Sequence, residues 1–277
     1  MNINLKDIFK SSLVGLLAVI ITVIAPSIPS FTSLFGDMPN IYLIPIFLIY
    51  SIAALIYSKI KKNLQTGRKG AFLIILSFNF IISTLLPSIE GEIYLETFPF
   101  IQILLTEFVL SLAIVSLIFY LWKQDDNSKA GQVKSYFTSR SIFSWIWRVI
   151  VIMLVFYILT MILGIITMPF TGHFLEEGIM KVPSMLTLFL ITIFRSFVYI
   201  LVTLPLIIFW KSSKKELFLY LALIASLIYP ILGDGIAYFW PAMYRLVDGI
   251  ILTIHTIIMS WLYVKMLGKN KEKCPKK

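Results

Sequence analysis

The residues best suited to chemistry in this chain are ionisable side chains inside long apolar runs. Arg195 and Glu107 each lie well within such a run. An ionisable group in hydrocarbon is costly and calls for a partner or a role. Counted from the outer ends of their runs, both residues lie at a similar depth, so a Glu107–Arg195 ion pair is geometrically feasible. Such a pair would either bind a solute or only pin two helices together, and the sequence favours neither.

Helical spacing gives Arg195 polar neighbours. The side chains on its face are spaced by three, four and eight residues and are Thr192, Arg195, Ser196, Tyr199 and Thr203. A second stripe near the C-terminus contains Arg245, Asp248, Leu252 and His255. Polar faces on apolar helices must point into the bundle. A shorter polar face is formed by Asn79 and Ser83.

These faces predict a polar pocket in the outer half of a helical bundle. The predicted lining is Arg195, Glu107, Asn79, His255, Asp248 and Tyr199. Arg195 would hold an anionic group, or Glu107 would carry a proton. A packing role is the commoner one for a lone histidine such as His255, with a proton relay as the alternative. Polar side chains of this kind also join helices to one another.

Signatures of catalysis and metal binding are missing from the sequence. There is no G-x-S-x-G, H-E-x-x-H or G-x-x-x-x-G-K-[ST]. His173 near Glu176 and Glu177 is a weak metal signal. The single cysteine, Cys274, cannot form an internal disulfide or a cysteine-cluster metal site. No catalytic residue, metal or cofactor is predicted, and an enzyme would have only Glu107, Asp248 and His255 as acid–base candidates.

The elements that must position these residues are membrane-spanning helices. Of the 277 residues, 59% are hydrophobic and 14% are charged, against about 25% charged in soluble domains. A helix needs about 20 apolar residues to cross the hydrocarbon core. Eight runs meet this requirement: 9–26, 41–59, 70–87, 99–122, 145–169, 185–210, 216–233 and 244–267. The sequence predicts an all-α, polytopic bundle forming one transmembrane domain over 1–277.

Basic residues orient this bundle. Alternate polar segments carry 21 Lys and Arg on one side, against Lys181 and Arg245 on the other. Because Lys and Arg in short loops stay cytoplasmic, eight spans place both termini inside a plasma membrane. The net charge of +10 would meet anionic lipid head groups of the inner leaflet through the basic loops and tail, and nucleic acid is rejected as a partner.

The two halves of the chain share a pattern. Halves 1–122 and 142–267 are joined by a polar cytoplasmic linker, 123–141. Pro99 precedes Glu107 and Lys123 much as Pro241 precedes Asp248 and Lys265. This predicts a 4+4 repeat with both halves in the same orientation, like the parallel repeats of some transporters. The alternative is that any two helix pairs share prolines at their ends and lysines inside.

Buried ionisable groups and the repeat favour a transporter-like protein for a small solute or an ion. The alternative is a membrane-embedded accessory or regulatory subunit, in which the polar groups hold helices together and activity is absent. A wet cavity that reaches Arg195 would favour transport, and a dry bundle would favour the subunit. The solute and any protein partner cannot be predicted from the sequence.

Overall fold

The computed structural model describes residues 4–24, 40–94, 100–123, 132–176, 181, 183–232 and 242–269. The named elements in these ranges are helices, which satisfy every backbone polar group within one segment, as lipid requires. In chain order they are α1 (Leu5–Ile24), α2 (Leu43–Asn63), α3 (Arg68–Tyr94), α4 (Phe100–Leu121), α5 (Gln132–Thr138), α6 (Ile142–Glu176), α7 (Met185–Phe209), α8 (Lys214–Ser226) and α9 (Ala242–Leu267).

Seven of these helices are long and apolar enough to cross a membrane: α1, α2, α3, α4, α6, α7 and α9. The prediction of an all-α chain with several helices able to span a membrane is therefore confirmed. The predicted run 216–233 corresponds to α8, which has 13 α-helical residues and continues as a five-residue π turn, Leu227–Ile231. By length and composition α8 is not among the seven, so the count of eight spans stays a prediction.

A π turn follows the first 13 residues of α3 and the 13 residues of α8. Each helix opens with 13 α-helical residues, and a π turn of five residues follows: Ile81–Leu85 in α3 and Leu227–Ile231 in α8. Single π turns within α-helices occur frequently at functional sites. The two π turns contact each other, so these irregular segments meet inside the bundle.

One end of the bundle, called here the basic end, is defined by the C-termini of α4 and α9. Lys10 and Lys61 donate hydrogen bonds to carbonyl oxygens at the end of α4. Arg140 and Arg148 donate to carbonyl oxygens at the end of α9, at 2.7 and 2.6 Å. The last carbonyls of a helix lack partners within it and carry partial negative charge, so cations are stabilising there. The opposite end is called the far end.

The turns between α2 and α3 and between α7 and α8 lie side by side. Leu64 and Trp210, each the first residue after its helix, form an isolated antiparallel bridge. The turns exchange two backbone hydrogen bonds, Gln65 N to Phe209 O at 2.7 Å and Lys211 N to Asn63 O at 3.0 Å. Above them α3 packs against α7 and α8 packs against α2. Residues 1–122 and 142–267 therefore contact each other through these two turns and the helices next to them.

Close packing of α1 on α2 depends on Gly15. A Cβ atom at this position would lie 2.5 Å from the backbone carbonyl oxygen of Phe47. We expect Gly15→Ala to destabilise the protein by about 1–3 kcal/mol, because overpacking must move a helix backbone. Unfolding in detergent micelles measures the change. Gly164→Ala is the matched control, since nothing lies within 4 Å of a Cβ there, and an equal loss in both variants would contradict the packing account.

Candidate functional site

The side chain of Arg195 is the centre of a buried polar cluster in the half of the bundle nearer the far end. Its exposed fraction is 7%. The guanidinium forms an ion pair with Glu90 and donates a hydrogen bond to the Tyr229 hydroxyl at 2.9 Å. That hydroxyl in turn donates to the second carboxylate oxygen of Glu90 at 3.2 Å. These three residues are called the Arg195 cluster.

The Arg195 cluster draws on both halves of the chain. Arg195 comes from α7, Glu90 from the last turns of α3, and Tyr229 from the π turn that follows α8. A buried charge is tolerated when it is paired and hydrogen-bonded. Because no single helix contains the cluster, the ion pair fixes α3 against α7.

The cluster retains hydrogen-bonding capacity. Within the ranges that the structure describes, Arg195 Nε has no hydrogen-bond partner, and neither has the hydroxyl of the adjacent Ser196. The guanidinium lies 5.8 Å from the centre of the Phe156 ring of α6, which is within the range of a cation–π contact. Arg195 is thus held by three helices and still presents an unused donor.

Tyr199 and His255 lie next to Arg195 on the side of the basic end. The Phe156 ring packs between them, with ring centroids 5.6 Å from Tyr199 and 4.8 Å from His255. Arg195 is close enough to interact electrostatically with both side chains. His255 is buried, and its Nε2 atom has no hydrogen-bond partner in the described part of the chain. The structure therefore brings three of the predicted site residues together.

Asp248 lies near this group but is only partly buried. It is two helical turns before His255 in α9, toward the far end, and it is within electrostatic range of Arg195. Among the described residues it forms no ion pair. Arg245, at the start of the same stripe, lies over the Tyr42 ring at 5.6 Å. Asp248 therefore contributes negative potential to the site from its far-end side.

Glu107 does not pair with Arg195, because Glu90 has that position. Glu107 is a partly exposed residue of α4, and its electrostatic neighbour is Tyr50 of α2. Both residues belong to the first half of the chain. Similar depth in the membrane is necessary for an ion pair between Glu107 and Arg195, but depth does not determine which helices are adjacent.

Asn79 belongs to a separate hydrogen-bond network in the first half. Its side-chain oxygen accepts from the Tyr57 hydroxyl at 2.9 Å, and its side-chain nitrogen donates to the Ser111 hydroxyl at 2.9 Å. This network joins α2, α3 and α4 and satisfies a buried amide. Polar contacts of this kind stabilise helix association in membranes, so Asn79 acts here as an interhelical link.

Several residues of the site were not among the predicted pocket residues. The predicted third run ends at Pro87 and leaves Glu90 outside it, whereas α3 continues to Tyr94. Proline is tolerated in membrane helices when neighbouring groups compensate. Tyr263, eight residues after His255, continues the polar stripe of α9, and this helical spacing is the signal that could have found it.

The site has no feature of a metal centre. No group of three or more His, Cys, Asp or Glu side chains able to hold a metal ion occurs among the residues whose placement is described. The side chains of His173, Glu176 and Glu177 lie outside that set.

Comparison with known proteins was negative at each level: no family model, no curated protein and no solved structure matches this chain.

Proposed function

We propose that this protein is a transporter-like membrane protein for a small solute or ion, with its site between two repeated halves. The observation that carries the proposal is the Arg195 cluster. It places an ion pair across the halves, with partly buried Glu90 from one half and buried Arg195 and Tyr229 from the other. Parallel-repeat transporters bind their substrates at the interface between repeats.

The repeat is supported by corresponding elements in residues 1–122 and 142–267. The two π turns follow helical segments of equal length, and Leu64 faces Trp210 at corresponding positions. Two alignments of the halves can be compared. The alignment that superposes the two π turns differs by about one helical turn from the alignment that superposes Pro99 on Pro241. In this proposal a pseudo-two-fold axis passes along the membrane normal between the two turns.

The proposed orientation has the basic end in the cytoplasm of a plasma membrane. The predicted cytoplasmic segments supply the cations that bind the ends of α4 and α9, including Lys10, Lys61, Arg140 and Arg148. The positive-inside rule assigns such an end to the cytoplasm, next to anionic lipid. With α8 as an eighth crossing, both termini are cytoplasmic and the Arg195 cluster lies in the outer half.

The proposed site works by exchanging contacts. Glu90 compensates the charge of Arg195 when the site is empty, and the unused donors of Arg195 and Ser196 are available to a solute. A solute that draws on these donors would loosen the contact between α3 and α7. Because the ion pair is made between halves, such a change alters their relative packing, as alternating access requires.

Solute flux tests this proposal. Proteoliposomes are challenged with glycerol, urea, sodium acetate and potassium chloride, and their volume change is followed by stopped-flow light scattering. We expect faster volume change than in protein-free liposomes for at least one of these probes. The double variant Glu90→Gln/Arg195→Gln, reconstituted in equal amount, should lower that rate about tenfold or more, equivalent to about 1.4 kcal/mol. Rates equal to those of empty liposomes for all four probes would contradict transport.

A second candidate function is a membrane-embedded accessory or regulatory subunit. The observation that favours it is the exposure of α6. In the apolar stretch of this helix, within Ile142–Phe170, 11% of the residues are buried, whereas 33–50% are buried in the other helices that could span a membrane. Such a helix presents most of its surface to lipid or to a partner helix. Co-purification of a stoichiometric partner, lost when α6 is substituted, together with absence of flux would favour this function.

A further inference from the structure

A small cavity lies beside the Arg195 cluster, on the side of the basic end. Its volume is about 20 Å³, and it is formed mainly by α6, α7, α8 and α9. The polar side chains that line it include Tyr199, Thr203, His255, Ser260 and Tyr263. Most of the lining surface is apolar, and a space of this size holds a molecule comparable to about one water. The cavity is thus separate from the ion pair and close to it.

Two of the lining groups lack a hydrogen-bond partner. His255 Nε2 and the Tyr263 hydroxyl are both unsatisfied in the described part of the chain, and the exposed fractions of these residues are 7% and 3%. Buried polar groups in native proteins are nearly always satisfied. A tyrosine side chain in a helix points toward the N-terminus, so the Tyr263 hydroxyl lies toward His255, two turns earlier. Both residues therefore bring an unsatisfied polar group to the cavity wall.

The cavity lining carries no formal charge when His255 is neutral. Arg195 of α7 is within electrostatic range of two lining residues, His255 and Tyr263, and it is already compensated by Glu90. An ion entering the cavity would lose its hydration without finding a counter-ion. A neutral molecule would find hydroxyls that both donate and accept, and an imidazole with one donor and one acceptor.

We infer that this cavity is the solute site of the proposed transporter and that it takes a small, uncharged, hydrogen-bonding molecule. The Arg195 cluster lies on the far-end side of the cavity, next to Tyr199. This inference rests on the proposed function and narrows it from a solute or ion to a neutral solute. Tyr199 belongs to both places, because it lines the cavity and lies next to Arg195.

Thiol labelling tests the cavity and its ligand class. In a Cys274→Ser background, Ser260→Cys and Thr203→Cys each place a thiol in the cavity lining, from α9 and α7. The purified protein in lipid nanodiscs is treated with three methanethiosulfonates that each carry a substituted ethyl group: the neutral hydroxyethyl, the anionic sulfonatoethyl and the cationic trimethylammonium-ethyl reagents. Lys123→Cys, at an exposed position of the basic end, is the matched control.

The neutral reagent should label the cavity thiols at least about tenfold faster than either charged reagent, relative to the control thiol, because ions are excluded by desolvation. Equal relative rates for the three reagents would overturn the ligand class. No labelling of either cavity thiol, with Lys123→Cys labelled, would overturn the cavity as a solute site. Labelling requires access and no transport, so these failures are distinguishable from absence of flux.

Discussion

Glu90→Ala is expected to destabilise the folded protein by about 3–5 kcal/mol. The substitution leaves the guanidinium of Arg195 buried without its carboxylate, and breaking a buried ion pair on one side has a cost of this size. Reversible unfolding in mixed micelles measures the change in free energy. Glu107→Ala is the matched control, because Glu107 is partly buried like Glu90 but forms no ion pair in the described ranges. The control should lose less than about 1 kcal/mol.

Replacing both charges separates pairing from packing. We expect Glu90→Leu combined with Arg195→Met to recover most of the stability that Glu90→Ala loses, because apolar residues of similar volume replace buried pairs at little cost. Solute flux should remain low in this double variant, since the exchangeable contact between α3 and α7 is gone. A loss below about 1 kcal/mol in Glu90→Ala would mean that the pair is solvated or not formed.

A disulfide between Leu64→Cys and Trp210→Cys should form readily under mild oxidation in a Cys274→Ser background. These residues face each other in an antiparallel bridge, where the Cα atoms of a pair without mutual hydrogen bonds are about 4.5 Å apart. That distance suits a disulfide. A protease site introduced into the linker 123–141 allows the link to be read as two halves that stay together on a non-reducing gel.

A second double-cysteine variant, with the two cysteines far apart, controls for the specificity of this cross-link. Leu64→Cys with Leu219→Cys is suitable, because Leu219 lies on an exposed face of α8. We expect the bridge pair to link nearly all of the chain and the distant pair to link little of it. Halves that separate after cleavage in the Leu64→Cys/Trp210→Cys variant would show that the two turns are not adjacent and would remove a main support for the repeat.

Much of the architecture was predictable because lipid leaves few alternatives. Long apolar runs must be helical, and seven of the eight predicted runs correspond to helices that can span a membrane. The polar face around Arg195 was readable from helical spacing, and Thr192, Ser196, Tyr199 and Thr203 are all buried with it. Periodicity of three and four residues therefore identified which face of α7 points inward.

The composition of the site was less predictable, because it depends on which helices touch. The apolar pattern gives the depth of Glu107 and Asn79 but not their neighbours, and both contact residues of the first half. Glu90 was missed because a proline is a poor guide to the end of a membrane helix when a π turn precedes it. The partner of Arg195 followed from the packing of α3 on α7, which no local pattern specifies.

The central claim is that Arg195 and Glu90 interact directly across the two halves, and a double-mutant cycle tests it most directly. The free energy of unfolding is measured for wild type, Glu90→Gln, Arg195→Gln and the double variant. The account predicts a coupling energy of about 1–3 kcal/mol, as found for residues in contact. Single-variant effects that add to within about 0.5 kcal/mol would show that the two side chains do not interact and would contradict the proposed site.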